Sequence, residues 1–87
     1  MSAGVDLSEF VRAAIAQAAN LDAAAVSGET HLLDLNLDSL TLVSVLAQVE
    51  AVHGIELEPE EILSMLEASR VLELVSRIEA VLAARRE

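Results

Sequence analysis

Ser39 stands in the run Asp34-Leu35-Asn36-Leu37-Asp38-Ser39-Leu40, a hydroxyl placed directly after an aspartate and between apolar residues. Asp38 is a favourable N-cap, so Ser39 falls at the mouth of a helix. Side chains there are not yet covered by a preceding turn. The free N–H groups and dipole of a helix start also favour a negatively charged group bonded to such a hydroxyl. Two readings follow: Ser39 is an ordinary first-turn serine, or it is a handle to which another enzyme attaches a group. Asp38 is likewise open between capping alone and capping combined with a role in that attachment.

Other chemistry finds little material. The chain has no cysteine, so it offers no disulfide, thiolate nucleophile or thiolate metal ligand. His31 and His53 are too few and too far apart in sequence to argue a metal site. No Gly-rich phosphate loop occurs, and no base pairs with Ser39 in a recognisable nucleophile pattern. Fifteen Asp and Glu against five Arg and no Lys give a formal charge of −10. That balance argues against nucleic acid and anionic membrane surfaces as partners and favours basic protein surfaces. With Phe10 as the single aromatic residue, stacking platforms for bases are absent.

The elements that must position Ser39 can be read from periodicity. An 87-residue chain, 54% hydrophobic, is one small domain over 1–87 with an aliphatic core. Asp6 and Glu9 form a capping-box pattern ahead of Leu7, Phe10, Val11, Ala14, Ile15 and Ala18, which predicts helix one over 7–19. Residues 20–37 form a long connection with a turn at Ser27-Gly28-Glu29-Thr30. Leu21, Val26, Leu32, Leu33 and Leu35 are expected to pin it to the core.

Helix two is predicted from Asp38 or Ser39 to His53-Gly54, with Gly54 as its stop. Leu42, Val45, Leu46, Val49 and Val52 form its buried stripe, and Thr41, Ser44, Gln48 and Ala51 its solvated side. Leu40, Val43 and Ala47 make an apolar flank level with Ser39. They are either a docking surface or the edge of a broad core stripe. After the link Ile55-Glu56-Leu57, Pro59 suits the first position of a short third helix near 59–67. The last helix is expected over 70–85, capped by Ser69, with Val71, Leu74, Val75, Ile78, Val81 and Leu82 facing inward. Arg85 and Arg86 then meet its negative end. Glu56, Glu58, Glu60, Glu61 and Glu67 crowd the third helix as a solvated face or a steering surface, which Glu50 could join. The N-terminal residues Met1 to Asp6 have no basic segment and no apolar run, so no signal peptide or membrane span is expected, and the expected location is the cytoplasm.

From helix one to helix four, the pattern resembles the acyl carrier protein family. The likeness is strongest at Thr30-His31-Leu32-Leu33-Asp34-Leu35-Asn36-Leu37-Asp38-Ser39-Leu40 and again at His53-Gly54-Ile55-Glu56-Leu57. It implies an all-α fold: a small four-helix bundle with a long loop between helices one and two and a short third helix. It further implies that Ser39 receives 4′-phosphopantetheine from coenzyme A through a phosphopantetheinyl transferase, with Asp38 helping to bind the transferase's metal. The imported thiol would carry an acyl group as a thioester, which suits a chain without cysteine.

Leu40, Val43, Ala47 and Glu50 would then meet partners: a loading ligase or acyltransferase, and ketosynthase-type or other tailoring enzymes. A non-catalytic, monomeric carrier is expected. The chain departs from the family at Asn36, where glycine is usual, and along helix two. There Thr41, Ser44 and Ala51 replace acidic residues typical of fatty-acid synthesis. This suggests a dedicated partner set in polyketide, specialised lipid or other natural-product synthesis. An aminoacyl or D-alanyl carrier, and an unmodified carrier-like interaction module, are the alternatives.

Overall fold

The computed structural model describes residues 6–85. Within them lie four helices, α1 (Leu7–Ala19), α2 (Ser39–His53), α3 (Pro59–Leu66) and α4 (Val71–Arg85), and two short 3-10 turns at Ala23–Ala25 and Leu32–Leu35. The expected all-α bundle with a long first loop and a short third helix is therefore present. The reading of Arg86 falls outside the described residues.

Local chemistry sets each boundary. Asp6 caps α1 by accepting from the Ser8 N–H at 3.0 Å. Asn20 ends it in the left-handed region at φ 63°, a conformation that Asn tolerates better than most residues. Gly54 ends α2 in the same way at φ 66°. The full capping box forms at α3 rather than at α1. There the Glu58 side chain accepts from the Glu61 N–H, and the Glu61 carboxylate accepts from the Glu58 N–H at 2.8 Å. Pro59 occupies the first turn, where its missing N–H costs nothing.

The core is aliphatic and draws on every helix. Val11 and Ile15 from α1, Val45, Leu46 and Val49 from α2, Met65 from α3, and Val71, Leu74 and Ile78 from α4 are almost wholly buried. Each such side chain contributes roughly 1.5–3 kcal/mol by leaving water, before conformational entropy is set against it. Among the described residues no polar or charged residue is buried in this core.

The long first loop is held by backbone bonds to the start of α4. Leu32 N–H donates to the Ser69 carbonyl at 2.9 Å, Val71 N–H to Thr30 at 3.0 Å and Leu72 N–H to Gly28 at 2.8 Å. These bonds replace the expected Ser69 cap, because loop carbonyls accept the first N–H groups of α4 that the helix cannot satisfy itself. The Ser69 N–H donates instead to the Glu73 carboxylate at 2.8 Å. Val26 and Leu32 anchor the loop as expected, and Leu35 is half-buried, whereas Leu21 and Leu33 are exposed. Val52, assigned to the buried stripe of α2, also lies at the surface, because the last turn of the helix runs past the core.

Arginines tie α3 to α4. Arg77 donates to the Ser64 carbonyl and faces Glu73 at 3.5 Å. Arg85 donates to the Glu56 carbonyl at 2.8 Å and pairs with Glu61 at 2.6 Å. No helix of the described residues is long and apolar enough to cross a membrane.

Candidate functional site

The approach to Ser39 is set by alternation of inward and outward residues. In the 3-10 turn, residues three apart share a face. Leu32 and Leu35 point to the core, and Leu37 follows them there, while Asp34, Asn36 and Asp38 face out. Asn36 closes the turn at φ 56°, its N–H donating to the Leu33 carbonyl at 3.2 Å. The left-handed conformation that glycine usually supplies at this position is thus met by asparagine.

Asp38 then caps α2. Its Oδ1 accepts from the Thr41 N–H at 2.8 Å, and its carbonyl accepts the first helical bond from Leu42 N–H at 3.1 Å. The Thr41 side chain, followed by the Thr41 N–H, holds the Asp38 carboxyl below its ordinary value. It is therefore an anion throughout the neutral range.

Ser39 is the first residue of α2 and is exposed. Its hydroxyl has no hydrogen-bond partner among the described residues. The Ser39 and Leu40 N–H groups precede the first helical bond and point out of the helix start. A phosphodiester on the Ser39 oxygen therefore finds an open approach, two free donors and the positive end of a 15-residue helix. The residues present fit 4′-phosphopantetheine at its phosphate end. Asp38, the residue before Ser39, sets a negative charge beside that hydroxyl, which a phosphate bonded there would have to meet.

Of the surface residues named from the sequence, Leu40, Val43 and Ala47 are all exposed, with Leu40 at 80% and Val43 at 37%. Their spacing puts them along one side of α2, leading away from Ser39. They are not the edge of the core stripe. Glu50 is placed differently. It is half-buried, and its Oε2 accepts from the Leu57 N–H at 2.7 Å, which fastens the link between α2 and α3. In the acidic third-helix region, Glu56, Glu58, Glu60 and Glu67 are exposed, whereas Glu61 is drawn to Arg85.

Leu33 is the residue that sequence reasoning missed. It is 90% exposed, the most open large apolar side chain described. The signal was available in the three-residue period of Leu32–Leu35, which sends Leu33 outward once Leu32 and Leu35 are in the core. Leu40, next to Ser39 in the chain, is likewise exposed. His31 serves structure: its Nε2 accepts from the Arg70 Nε at 3.4 Å. His53 is exposed in the last turn of α2. Among the described residues no three of His, Asp and Glu gather as a metal set.

Comparison with known proteins gives one positive finding. The family model described as the phosphopantetheine attachment site matches residues 9–78, most of the chain, including all of α2 and α3. A search of curated proteins and a search of solved structures give no significant match.

Proposed function

From the premise that this chain belongs to the phosphopantetheine attachment site family, and so carries 4′-phosphopantetheine covalently, we propose that Ser39 is the attachment residue of an acyl carrier. The observation that carries this reading is the unpartnered, exposed hydroxyl at the first position of α2. When attached, the group supplies a terminal thiol for an acyl thioester, a function no side chain of this sequence can provide.

The chain's own residues have the remaining work. Asp38 fixes the start of α2 and keeps a charged carboxylate beside Ser39, suited to a transferase-bound divalent cation during attachment. The helix-start N–H groups hold the phosphate. Leu40, Val43 and Ala47, joined by Leu33, form the face that meets a phosphopantetheinyl transferase, a loading ligase or acyltransferase and the processing enzymes. Family members of this kind are generally non-catalytic, and this chain acts in the same way, as one monomeric carrier domain over 1–87 working in the cytoplasm. Along α2, beyond Asp38, that face carries Leu40, Val43, Ser44 and Ala47 and no carboxylate. This supports partners in polyketide, specialised lipid or other natural-product synthesis over charge-driven docking.

Peptide mapping of the transferase-treated protein tests the assignment. The added group is expected on the peptide containing Ser39. Its location on Ser44 or any other serine overturns the proposal. Charging by adenylating ligases offered fatty, amino and D-amino acids then separates an acyl carrier from an aminoacyl or D-alanyl carrier.

A further inference from the structure

The cap at the start of α2 uses more of Thr41 than a cap requires. Among the described residues no arginine pairs with the Asp38 carboxylate, although it stands beside Ser39. Thr41 meets it instead. Its N–H donates to Asp38 Oδ1 at 2.8 Å. Its side chain acts on the same carboxyl, and does more than the N–H to hold it below its ordinary value. Capping needs only the N–H, which any residue but proline supplies at this position. The Thr41 side chain is therefore left with no purpose in the helix start itself. It is half-buried, whereas Asp38 and Ser39 are exposed.

Threonine suits a further task here. Two heavy atoms on Cβ make it stiff at χ1, and in a helix its hydroxyl turns back toward acceptors three or four residues earlier. Asp38 stands three residues earlier. A carboxylate held by a single donor still rotates about its Cβ–Cγ bond, where the torsional well is broad. A second donor on the same stiff residue removes that freedom. An ionised carboxylate has about four lone-pair sites, so two donors leave sites for a cation. A carboxylate at position 41 would have no proton to donate and would set a like charge three residues from Asp38. Threonine orients the group without adding charge.

We propose that Thr41 is a positioning residue for the attachment step: its hydroxyl, with its N–H, locks the Asp38 carboxylate so that the remaining lone pairs meet the transferase's divalent cation in one fixed direction. This rests on the attachment reading above. In that step the Ser39 oxygen bonds the phosphorus that bears the pantetheine chain of coenzyme A. Its proton passes to solvent or to the transferase, and adenosine 3′,5′-bisphosphate leaves. Thr41 touches none of the reacting atoms. It acts through Asp38, as the hydrogen-bond partners of metal ligands do when they orient them.

The test follows initial rates of transfer to the full, unmodified chain by a broad-specificity transferase. Carrier is varied at saturating magnesium, then magnesium at fixed carrier. Thr41→Val keeps the shape, the branch at Cβ and the capping N–H and lacks the hydroxyl. Thr41→Ala lacks it in a smaller side chain, and Thr41→Ser restores it. Ser44→Ala, which loses another hydroxyl from the exposed side of α2, is the control. Thermal unfolding of each variant is recorded first, and rates are taken well below every midpoint. In Thr41→Val and Thr41→Ala the magnesium needed for half-maximal rate is expected to rise about tenfold, the usual scale for losing a ligand's hydrogen-bond partner, with KM for the carrier little changed. Thr41→Ser and Ser44→Ala should match the parent. Magnesium dependence like the parent's in Thr41→Val and Thr41→Ala overturns the positioning role while leaving attachment at Ser39 in place. A loss that Thr41→Ser does not restore, or that Ser44→Ala shares, overturns it equally. A parent that gains no phosphopantetheine, or a Ser39→Ala variant that gains one, removes the attachment reading and this role with it.

Discussion

Replacing Asn36 by alanine removes the residue that tolerates the left-handed turn three positions before Ser39, at φ 56°. A non-glycine residue without a short polar side chain costs about 1–2 kcal/mol in that conformation, and replacing Asn, which pays part of this already, leaves about 1 kcal/mol. Gly54→Ala is the natural companion. Gly54 has φ 66° and nothing within 4 Å of the position its Cβ would take, so its cost is conformational and of the same size, about 1 kcal/mol. For a domain of this length each change should lower Tm by about 4–8 °C.

The two sites differ in place: Asn36 precedes Ser39, whereas Gly54 is at the other end of α2. Thermal unfolding followed by circular dichroism measures the shared loss. Initial rates of phosphopantetheine transfer, taken well below both midpoints, measure the local one. Asn36→Ala is expected to slow transfer, Gly54→Ala to leave it near the parent rate, and Asn36→Gly to preserve both stability and rate. Equal transfer rates for Asn36→Ala and Gly54→Ala, or unchanged Tm in both, would refute the argument that the turn aims Ser39.

Three further outcomes follow from the same structure. Leu46→Ala, at 1% exposure in the centre of the bundle, should cost about 2–5 kcal/mol in denaturant titration; a cost under about 1 kcal/mol would mean that the core is not packed as described. Glu50→Ala removes the acceptor for the Leu57 N–H and should destabilise by roughly 1–2 kcal/mol and speed exchange of that amide. Glu50→Gln, which keeps an oxygen acceptor, should recover most of the loss, and equal damage from both variants would point to the charge itself.

Stability should also fall in acid. Glu61 is held below its ordinary value of 4.5 first by the Glu58 N–H and then by Arg85, and Glu73 first by the Ser69 N–H. Carboxyls depressed in the folded state stabilise it above their unfolded value, and that contribution is lost as pH falls through the folded value. Denaturation midpoints should therefore drop below about pH 4.5, less steeply in Glu61→Gln. A midpoint flat from pH 7 to 3 would contradict this.

Most of the fold was legible because periodicity and caps agree in this chain. The bounds of α1 follow from Asp6 and the Val11–Ile15 stripe, and α2 lies between Asp38 and Gly54 as its end residues require. The position of Ser39 was legible for the same reason, since an aspartate cap makes the following serine a first-turn residue. What was hidden depends on contacts between distant parts of the chain. The start of α4 looked like a serine cap, yet carbonyls from Gly28 and Thr30 do that work, and only tertiary docking of the loop reveals it. Leucine composition suggested that Leu33 was an anchor; the three-residue turn reverses its direction. Glu50 read as a free surface charge until the return of the chain at Leu57 brought an N–H to it.

The central claim is that Ser39 bears the prosthetic group, and intact mass spectrometry tests it most directly. The protein and Ser39→Ala are each incubated with coenzyme A, magnesium and a broad-specificity phosphopantetheinyl transferase. The hydroxyl is exposed and unbonded, so the variant should keep its helical circular dichroism. A gain of a single phosphopantetheine by the parent and none by Ser39→Ala is the predicted result. An equal gain by both would contradict the account, as would a folded parent that stays unmodified with this transferase and with others of different specificity.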